Sequence, residues 1–171
     1  MPSVPEQELA VSATTRDKRA GEQDGREYHF IDHDEFQRRL NAGDFLEHVD
    51  FEWGQRVGTL WSEIARIRAE GKAPLLDLET EGALAVQREI SDSVTIFVKA
   101  PSFEELERRL RARATESGGE IDKRLQRARA QLEQADRFDH VIVNDDVDRA
   151  AGELRAIVER ELHRAGTMSR P

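Results

Sequence analysis

APLLDLE, Ala73 to Glu79, is one of two stretches that decide the fold, and SVTIFVKA, Ser93 to Ala100, is the other. Both are mostly continuous apolar runs, which is typical of strands covered on both faces in a parallel sheet. HVIV, His140 to Val143, predicts a last buried strand of the same kind. Segments with helical periodicity fill the spaces between these strands. The alternation predicts an α/β sandwich with a mainly parallel sheet.

The residues before Ala73 predict an early β-rich lobe. Leu9 to Thr15 and Tyr28 to Ile31 resemble short strands, and the turn-rich GEQDG separates them. A helix follows, opened by Asp32 with Glu35 three residues later and closed by Gly43.

Two more helices are marked by their first residues. DFLEHVDFEW contains another strand, after which Thr59 is expected to cap a helix that ends near Gly71. Ser102 with Glu105 repeats the capping pattern further along the chain.

Composition limits the classes of function. Charged residues make up 36% and hydrophobic residues 37% of the 171 residues, which is typical of a folded, helix-rich chain. The formal net charge of −9 argues against nucleic acid as a partner, so an anion needs a local basic pocket. There is no cysteine, no apolar signal core and no apolar run of membrane-spanning length. We expect a cytoplasmic protein without a membrane partner.

SATTRDKR, Ser12 to Arg19, runs from hydroxyl residues into two arginines spaced R-x-x-R. Guanidinium groups match the geometry of phosphate, and hydroxyls can complete a cage around it. Arg16 and Arg19, with the hydroxyls before them and Tyr28 after the turn, could therefore form an anion clamp. Two solvated arginines on a loop are the alternative.

Arginine is concentrated again in ERRLRARATESGGEIDKRLQRAR, on two predicted helices that flank Gly118 and Gly119. Two helices with this local excess of basic residues resemble a hinged lid that closes on a polyphosphate. Ordinary helix-surface charge, with pairs to nearby acidic residues, is the alternative.

Three weaker patterns concern metals and caps. Asp77 follows an apolar strand, where a carboxylate either holds a metal-bound phosphate or caps the next loop. NDD, Asn144 to Asp146, predicts a helix N-cap. The five histidines have no ligand spacing, so we expect no metal bound directly by the protein.

Taken in order, SATTRDKRAGEQDGREYHF, GDFLEH, GQRVGT, LLDLETEGA, PSFEELERRLRARATES with IDKRL, and HVIVNDD closely resemble the guanylate kinase family. The resemblance runs from about Ala10 to Leu162. It implies a P-loop NTPase-like three-layer α/β/α fold with a mainly parallel sheet, a small β-rich lobe that binds the nucleoside monophosphate and a helical lid. The implied segments are a core strand remnant, the GMP-binding lobe, core, lid, core and a disordered tail, at 8–16, 17–58, 59–109, 110–130, 131–165 and 166–171.

The resemblance also implies an activity in purine nucleotide metabolism, namely phosphoryl transfer from ATP to GMP with Mg²⁺, giving ADP and GDP. The positions that match the GMP site are Ser12, Arg16, Arg19, Tyr28, Glu47, Thr59 and Glu79. The positions that match catalytic arginines are Arg16, Arg109, Arg113 and Arg124. Asp77 matches a position associated with phosphate and Mg²⁺, and Asn144 a position near the adenine.

The chain departs from the family pattern at several positions. Val57 stands where tyrosine is usual, which removes one hydroxyl from the phosphate site. Glu79 replaces an aspartate, Glu81 a glutamine and Lys18 a proline.

The largest departure is that the family's strand and glycine-rich loop, G-x-x-x-x-G-K-[ST], have no match in this sequence. Gly71-Lys72 fails the pattern, because Arg66 and Ala73 occupy the first glycine and the final hydroxyl positions. From this we expect either a chain truncated at its start, with impaired activity, or a non-catalytic module that binds GMP or another protein.

Overall fold

The computed structural model describes residues 7–113 and 118–168, except for the side chains of 113, 118–120 and 165–168. The chain divides into two compact units, residues 1–91 and 92–171. The elements of the first unit are β1 (Gln7–Leu9), β2 (Ala13–Thr14), β3 (His29–Phe30), α1 (His33–Ala42), β4 (Phe45–Asp50), β5 (Arg56–Leu60), α2 (Trp61–Ala69), β6 (Ala73–Leu75) and α3 (Thr80–Glu89). The elements of the second are β7 (Ile96–Lys99), α4 (Phe103–Arg113), α5 (Gly118–Leu132), a short 3-10 turn (Ala135–Arg137), β8 (His140–Val143) and α6 (Val147–Met168).

The first unit contains a parallel pair of strands and a mixed four-stranded sheet. β1 pairs with β6 in parallel, while the larger sheet has the order β3-β2-β5-β4. Within it β2 runs parallel to β3 and antiparallel to β5, which is also antiparallel to β4. This sheet corresponds to the predicted β-rich lobe.

The expectation of one strand over Leu9 to Thr15 is wrong. The segment forms β1 in one sheet and β2 in the other, because the chain leaves the parallel pair after Leu9. Val11, in the connection, donates its backbone N–H to the Glu63 carboxylate at 3.1 Å. Glu63 is 7% exposed, so this buried carboxylate satisfies a backbone donor that neither sheet pairs.

Two apolar clusters form the core of the first unit. One contains Ala10, Leu46, Ile64, Ile67 and Val86. The other contains Ala13, Phe36, Phe45 and Leu60, with the rings of Phe36 and Phe45 stacked at 4.4 Å between centroids. The two clusters hold β2, β4 and β5 together. Glu47 and Thr59 of the site lie on β4 and β5, and Ser12 and Arg16 lie on either side of β2.

The predicted caps of α1 and α4 are confirmed, and the predicted cap of α2 is wrong. Asp32 accepts the backbone N–H of Glu35 at 2.7 Å at the start of α1, and Gly43 ends the helix with φ of 74°. Ser102 accepts the N–H of Glu105 in the same way, at 3.1 Å. Thr59 does not cap α2, because it lies within β5.

The second unit is built on the parallel pair β7 and β8, as the apolar runs predict. Ile96 lies opposite His140 and Lys99 opposite Val143. Ile142, 1% exposed, packs against α6 through Ala150 and Ile157. No helix among the described residues is long and apolar enough to cross a membrane.

Several boundaries differ from the predictions. β6 and β7 are shorter than their apolar runs, and Gly118 and Gly119 belong to α5 and not to a loop. Asp146 provides the predicted cap of α6, accepting the N–H of Arg149 at 2.9 Å. α6 continues to Met168, into the predicted tail, while residues 169–171 lie outside the described range.

Candidate active site

Two strands, a helix and the connection before β2 meet in the first unit, in a group we call the Glu47 cluster (Ser12, Glu47, Thr59 and Gly82). Glu47 on β4 and Thr59 on β5 are register partners. The Oε1 atom of Glu47 accepts the backbone N–H of Thr59 at 2.9 Å. The hydroxyl of Thr59 lies 3.5 Å from that of Ser12. Three of the positions matched to the GMP site are therefore together.

The Glu47 carboxylate is buried, with 7% of the residue exposed. Burial raises the pKa of Glu47, since water is withdrawn from the charged form, and the hydrogen bonds from Thr59 act in the opposite direction. The hydrogen bond from the Thr59 N–H to Oε1 offsets part of the cost of burying this carboxylate. A carboxylate has two oxygens and can accept from a group with two adjacent N–H donors.

Gly82, in the first turn of α3, leaves the space that the Glu47 carboxylate occupies. A Cβ atom at this position would lie 2.6 Å from Oε2 of Glu47. The start of a helix carries partial positive charge, which favours a nearby carboxylate. Glycine here thus permits a close approach that any side chain would prevent.

Replacing Gly82 by alanine is expected to displace the Glu47 carboxylate and to weaken GMP binding on the order of tenfold to a hundredfold. Gly152→Ala is the matched control, because Gly152 also lies in a helix and a Cβ there would meet nothing within 4 Å. The control should leave binding unchanged and raise stability by about 1 kcal/mol through helix propensity. Calorimetric titration and thermal melting of both variants measure these effects, and unchanged GMP affinity in the Gly82 variant would contradict the steric argument.

Arg16 follows β2, and its side chain is mostly buried among nearby residues of the chain. Its guanidinium makes two hydrogen bonds to the Glu22 carboxylate, at 2.8 and 3.0 Å, and one to the backbone carbonyl of Asp17 at 2.7 Å. It also lies over the rings of Tyr28 and Phe30, 5.3 and 5.6 Å from their centroids. Arg16 is therefore held in one orientation.

In the pair of Arg16 and Glu22, each residue favours the charged form of the other. Hydrogen bonds from Arg16, and then from the backbone of Arg19, lower the pKa of Glu22 to about 2. The same pairing raises the pKa of Arg16. Because Glu22 is ionised in the folded protein well below the ordinary range, its contribution to stability is present above that range and is lost as pH falls toward 2.

The hydroxyls of Thr14 and Thr15, which the sequence places in the anion cage, bind the backbone next to Arg16. Thr14 Oγ1 donates to the backbone carbonyl of Arg56 at 3.1 Å and accepts the N–H of Arg16 at 3.2 Å. Thr15 Oγ1 accepts the N–H of Arg56 at 2.9 Å. Both hydroxyls hold β2 against β5, so their contribution to the site is the position of Arg16.

The other residues of the predicted clamp surround Arg16. Arg19 is exposed, in the turn that Glu22 closes by accepting its backbone N–H at 2.7 Å. The half-buried ring of Tyr28 meets Phe30 edge to face. Val57, the departure from tyrosine, is the register partner of Thr14 on β5.

A cavity of about 340 Å³ also borders Arg16. It is lined by Thr15, Arg16, Asp17, Lys18, Phe30, Ile31, Asp32 and His33. The Glu47 cluster is not among its lining residues. The cavity therefore presents basic and acidic side chains next to Arg16, and the buried Glu47 carboxylate does not line it.

In the second unit, Arg109 and Asn144 lie together at the end of β8. Arg109 donates to the Glu105 carboxylate at 2.7 Å and to the backbone carbonyl of Asn144 at 2.9 Å. Hydrogen bonds from Arg108 and Arg109 lower the pKa of Glu105 to about 2. Arg109 is thus oriented by the carboxylate of Glu105, one turn earlier in the same helix.

The remaining predicted residues lie in both units. Arg124 is exposed on α5, and the side chain of Arg113 lies outside the described residues. Asp77 is exposed in the connection after β6, and Glu79 is the N-cap residue of α3 without a side-chain cap. Lys72 of the Gly71-Lys72 pair forms ion pairs with Glu8 and Glu70, which agrees with a structural role.

Comparisons with known proteins show the family of the chain. The guanylate kinase family model matches residues 3–161. The guanylate kinase of Symbiobacterium thermophilum is 44% identical over 153 residues, which is 90% of this chain and 72% of that protein. The chain belongs to the guanylate kinase family. The guanylate kinase of Frankia casuarinae is 46% identical over 154 residues, which is 90% of this chain and 83% of the relative.

A solved guanylate kinase has the same fold. The crystal structure of guanylate kinase from Anaplasma phagocytophilum superposes with a TM-score of 0.76 at 30% identity, covering 91% of this chain and 76% of that one. The fold is therefore the P-loop NTPase-like α/β fold of the guanylate kinase family, as the resemblance implies.

Two residues of the site were missed at the level of sequence. Gly82 was not singled out, since nothing in the local pattern ETEGA shows that β4 passes close to α3. Glu22 lies in the turn GEQDG, three residues after Arg19. An acidic residue that follows R-x-x-R so closely was the available signal for a partner of the arginines.

Proposed function

We propose that this guanylate kinase family member binds GMP through the Glu47 cluster and Arg16, and transfers a phosphoryl group to it from ATP, giving ADP and GDP. The observation that carries the proposal is the buried Glu47 carboxylate. Guanine offers N1–H and an exocyclic amine on one edge, and a carboxylate can accept from both. Adenine lacks that pair of donors, so AMP would leave the carboxylate unpaired and should be rejected strongly.

The phosphate of GMP is assigned to Arg16, Arg19 and Tyr28. Arg16 is already oriented by Glu22 and by two aromatic rings, so little side-chain freedom is lost when it binds an anion. Glu79, at the start of α3, and the Ser12 and Thr59 hydroxyls are assigned to the guanine.

Phosphoryl transfer needs positioning and charge neutralisation in place of a covalent nucleophile. We assign the neutralising role to Arg109, Arg113 and Arg124, and the adenine side to Asn144. The contact of Arg109 with the Asn144 carbonyl supports a shared role for these two residues.

Mg²⁺, bound with ATP, supplies neutralisation of charge on the phosphates. It commonly binds one or two carboxylates together with phosphates and water. Residues 7–113 and 118–168 contain no group of three or more acidic or histidine side chains able to hold a metal ion alone. The exposed Asp77 fits the lesser role of one carboxylate beside a nucleotide-bound ion. A cytoplasmic location stays a prediction from the sequence.

Calorimetric titration with GMP, AMP and ATP, together with a coupled assay of ADP formation from GMP and Mg-ATP, tests the proposal on the full chain. We expect GMP to bind at least about 10²-fold more tightly than AMP and to support turnover, at a reduced rate because the family's glycine-rich loop has no match in this sequence. GMP binding without turnover would favour the non-catalytic module. Absence of GMP binding would overturn the assigned site.

A further inference from the structure

The ion pair with Glu22 sets which N–H groups of Arg16 remain available to an anion. Both side chains are mostly buried, at 18% and 13% exposure, and Oε1 and Oε2 of Glu22 each accept one hydrogen bond from the guanidinium. Such a two-bond pair fixes direction as well as charge. If Arg16 binds a phosphate, Glu22 either competes with that phosphate or aims the guanidinium at it.

The donors of Arg16 decide between these two roles. A guanidinium has five N–H donors, one on Nε and two on each Nη. Glu22 uses one donor of Nη1 and one of Nη2, and the Asp17 carbonyl uses the second donor of Nη1. Among the described residues, no hydrogen bond is made by Nε or by the second donor of Nη2. These two N–H groups lie on the same edge of the planar guanidinium.

The unused edge is the one that can bind two oxygens of a phosphate side by side. Glu22 therefore occupies the opposite part of the guanidinium and does not compete for this edge. The guanidinium of Arg16 lies over the rings of Tyr28 and Phe30, which restricts its rotation out of its own plane.

Glu22 also closes the turn that carries Arg19. Its Oε2 accepts the backbone N–H of Arg19 at 2.7 Å, and its own N–H donates to the Arg19 carbonyl at 3.1 Å. Gly21, just before it, has φ of 88°, a conformation that glycine adopts without strain. One carboxylate thus sets the side chain of Arg16 and the backbone from which Arg19 extends.

We propose that Glu22 is a positioning residue that presents the Nε and Nη2 edge of Arg16 to the phosphate of GMP. The inference rests on the proposed function, because it assigns the anion bound at this edge to GMP. Glu22 itself touches neither the nucleotide nor the reacting atoms.

Glu22→Gln is the variant that tests this role, with Glu27→Gln as the matched control. Glu27 lies in the same turn and pairs with a neighbouring arginine, Arg26, without contacting Arg16. Calorimetric titration of each full-length variant with GMP and with guanosine separates binding of the phosphate from binding of the base. Thermal melting reports whether the variants fold.

We expect Glu22→Gln to bind GMP about tenfold more weakly, since an amide keeps only one acceptor for Arg16. Guanosine affinity should not change, and Glu27→Gln should match the unchanged chain. In an Arg16→Ala background, Glu22→Gln should have a much smaller effect on GMP, because the positioning role acts mainly through Arg16 and only the turn at Arg19 remains to be affected.

Other outcomes overturn the inference. Equal GMP affinity in Glu22→Gln would remove the positioning role, and tighter binding would show that Glu22 competes with phosphate. An equal loss of guanosine affinity, or an undiminished effect in the Arg16→Ala background, would show a structural role only. Absence of GMP binding by the unchanged chain would instead overturn the proposed function, and the inference with it.

Discussion

Replacing Glu47 by glutamine is expected to weaken GMP binding by about 10²-fold or more, since two hydrogen bonds to a charged group contribute about 1.5–3 kcal/mol each. Glutamine can accept from only one of the two guanine donors, and its amide N–H₂ then faces the other. Discrimination against AMP should largely disappear for the same reason.

The same substitution is expected to stabilise the protein without ligand. Burial raises the pKa of Glu47, so the folded protein holds the proton more tightly than the unfolded chain does. Stability therefore falls as pH rises from the ordinary glutamate pKa through the raised value, and the deficit persists at neutral pH. Glutamine carries no charge to bury and keeps an oxygen for the backbone N–H of Thr59.

Calorimetric titration with GMP and AMP, combined with thermal melting between pH 4 and 8, measures both effects. Glu52→Gln is the matched control, because Glu52 is exposed beyond the end of the same strand. A Glu47→Gln variant that melts at a lower temperature than the unchanged chain at neutral pH would contradict the burial argument. Unchanged GMP affinity would remove Glu47 from the guanine site.

Replacing Arg16 by alanine is expected to reduce GMP affinity by about 10²-fold, because two charge-assisted hydrogen bonds to phosphate are lost. Affinity for guanosine, which has no phosphate, should stay the same. Arg16→Lys keeps the charge but loses the planar pair of donors, so its GMP affinity should lie between those of alanine and arginine.

Arg26→Ala is the control for the arginine substitutions. Arg26 lies in the same turn, is exposed and pairs with Glu27. Titrations with GMP and guanosine at low and high salt complete the measurement, and the GMP affinity of the unchanged chain should depend more steeply on salt than that of Arg16→Ala. A parallel loss of guanosine affinity would show that Arg16 acts on the fold of the turn.

The order of strands and helices could be predicted from the sequence because each signal is local. Continuous apolar runs at Ala73 and Ser93 indicate strands of a parallel sheet, and Asp32 and Ser102 accept the hydrogen bonds expected of helix caps. The assignment of Thr59 failed for a tertiary reason. Its backbone N–H binds the Glu47 carboxylate across the hairpin, and no capping pattern shows that contact.

The single strand expected over Leu9 to Thr15 failed for a similar reason. Apolar and β-branched residues continue through the segment, so its composition does not show where it changes sheets. The change depends on the Glu63 carboxylate, which lies 52 residues further along the chain and accepts the N–H of Val11.

For the site, R-x-x-R indicated an anion clamp, but the assignment of Glu47 and Thr59 to guanine required resemblance to a known family. Neither residue has a local pattern that distinguishes it from other strand residues. Gly82 and Glu22 act through Glu47 and Arg16. Only the folded chain shows that a Cβ at Gly82 would lie 2.6 Å from Oε2 of Glu47, and that Nη2 of Arg16 lies 2.8 Å from Oε1 of Glu22.

The connection from β1 to β2 limits where residues can be inserted or deleted in this chain. Only Ala10 to Ser12 join the parallel pair to the mixed sheet, and their backbone is held at both ends by Leu75 and His29. An added or deleted residue here would shift Arg16 relative to Glu22 and also turn β2 over. The turn after Asp17, on the surface, has no such restriction except at Glu22. Natural variation in length should therefore avoid the connection from β1 to β2 and gather in loops such as the hairpin tip near Gly54.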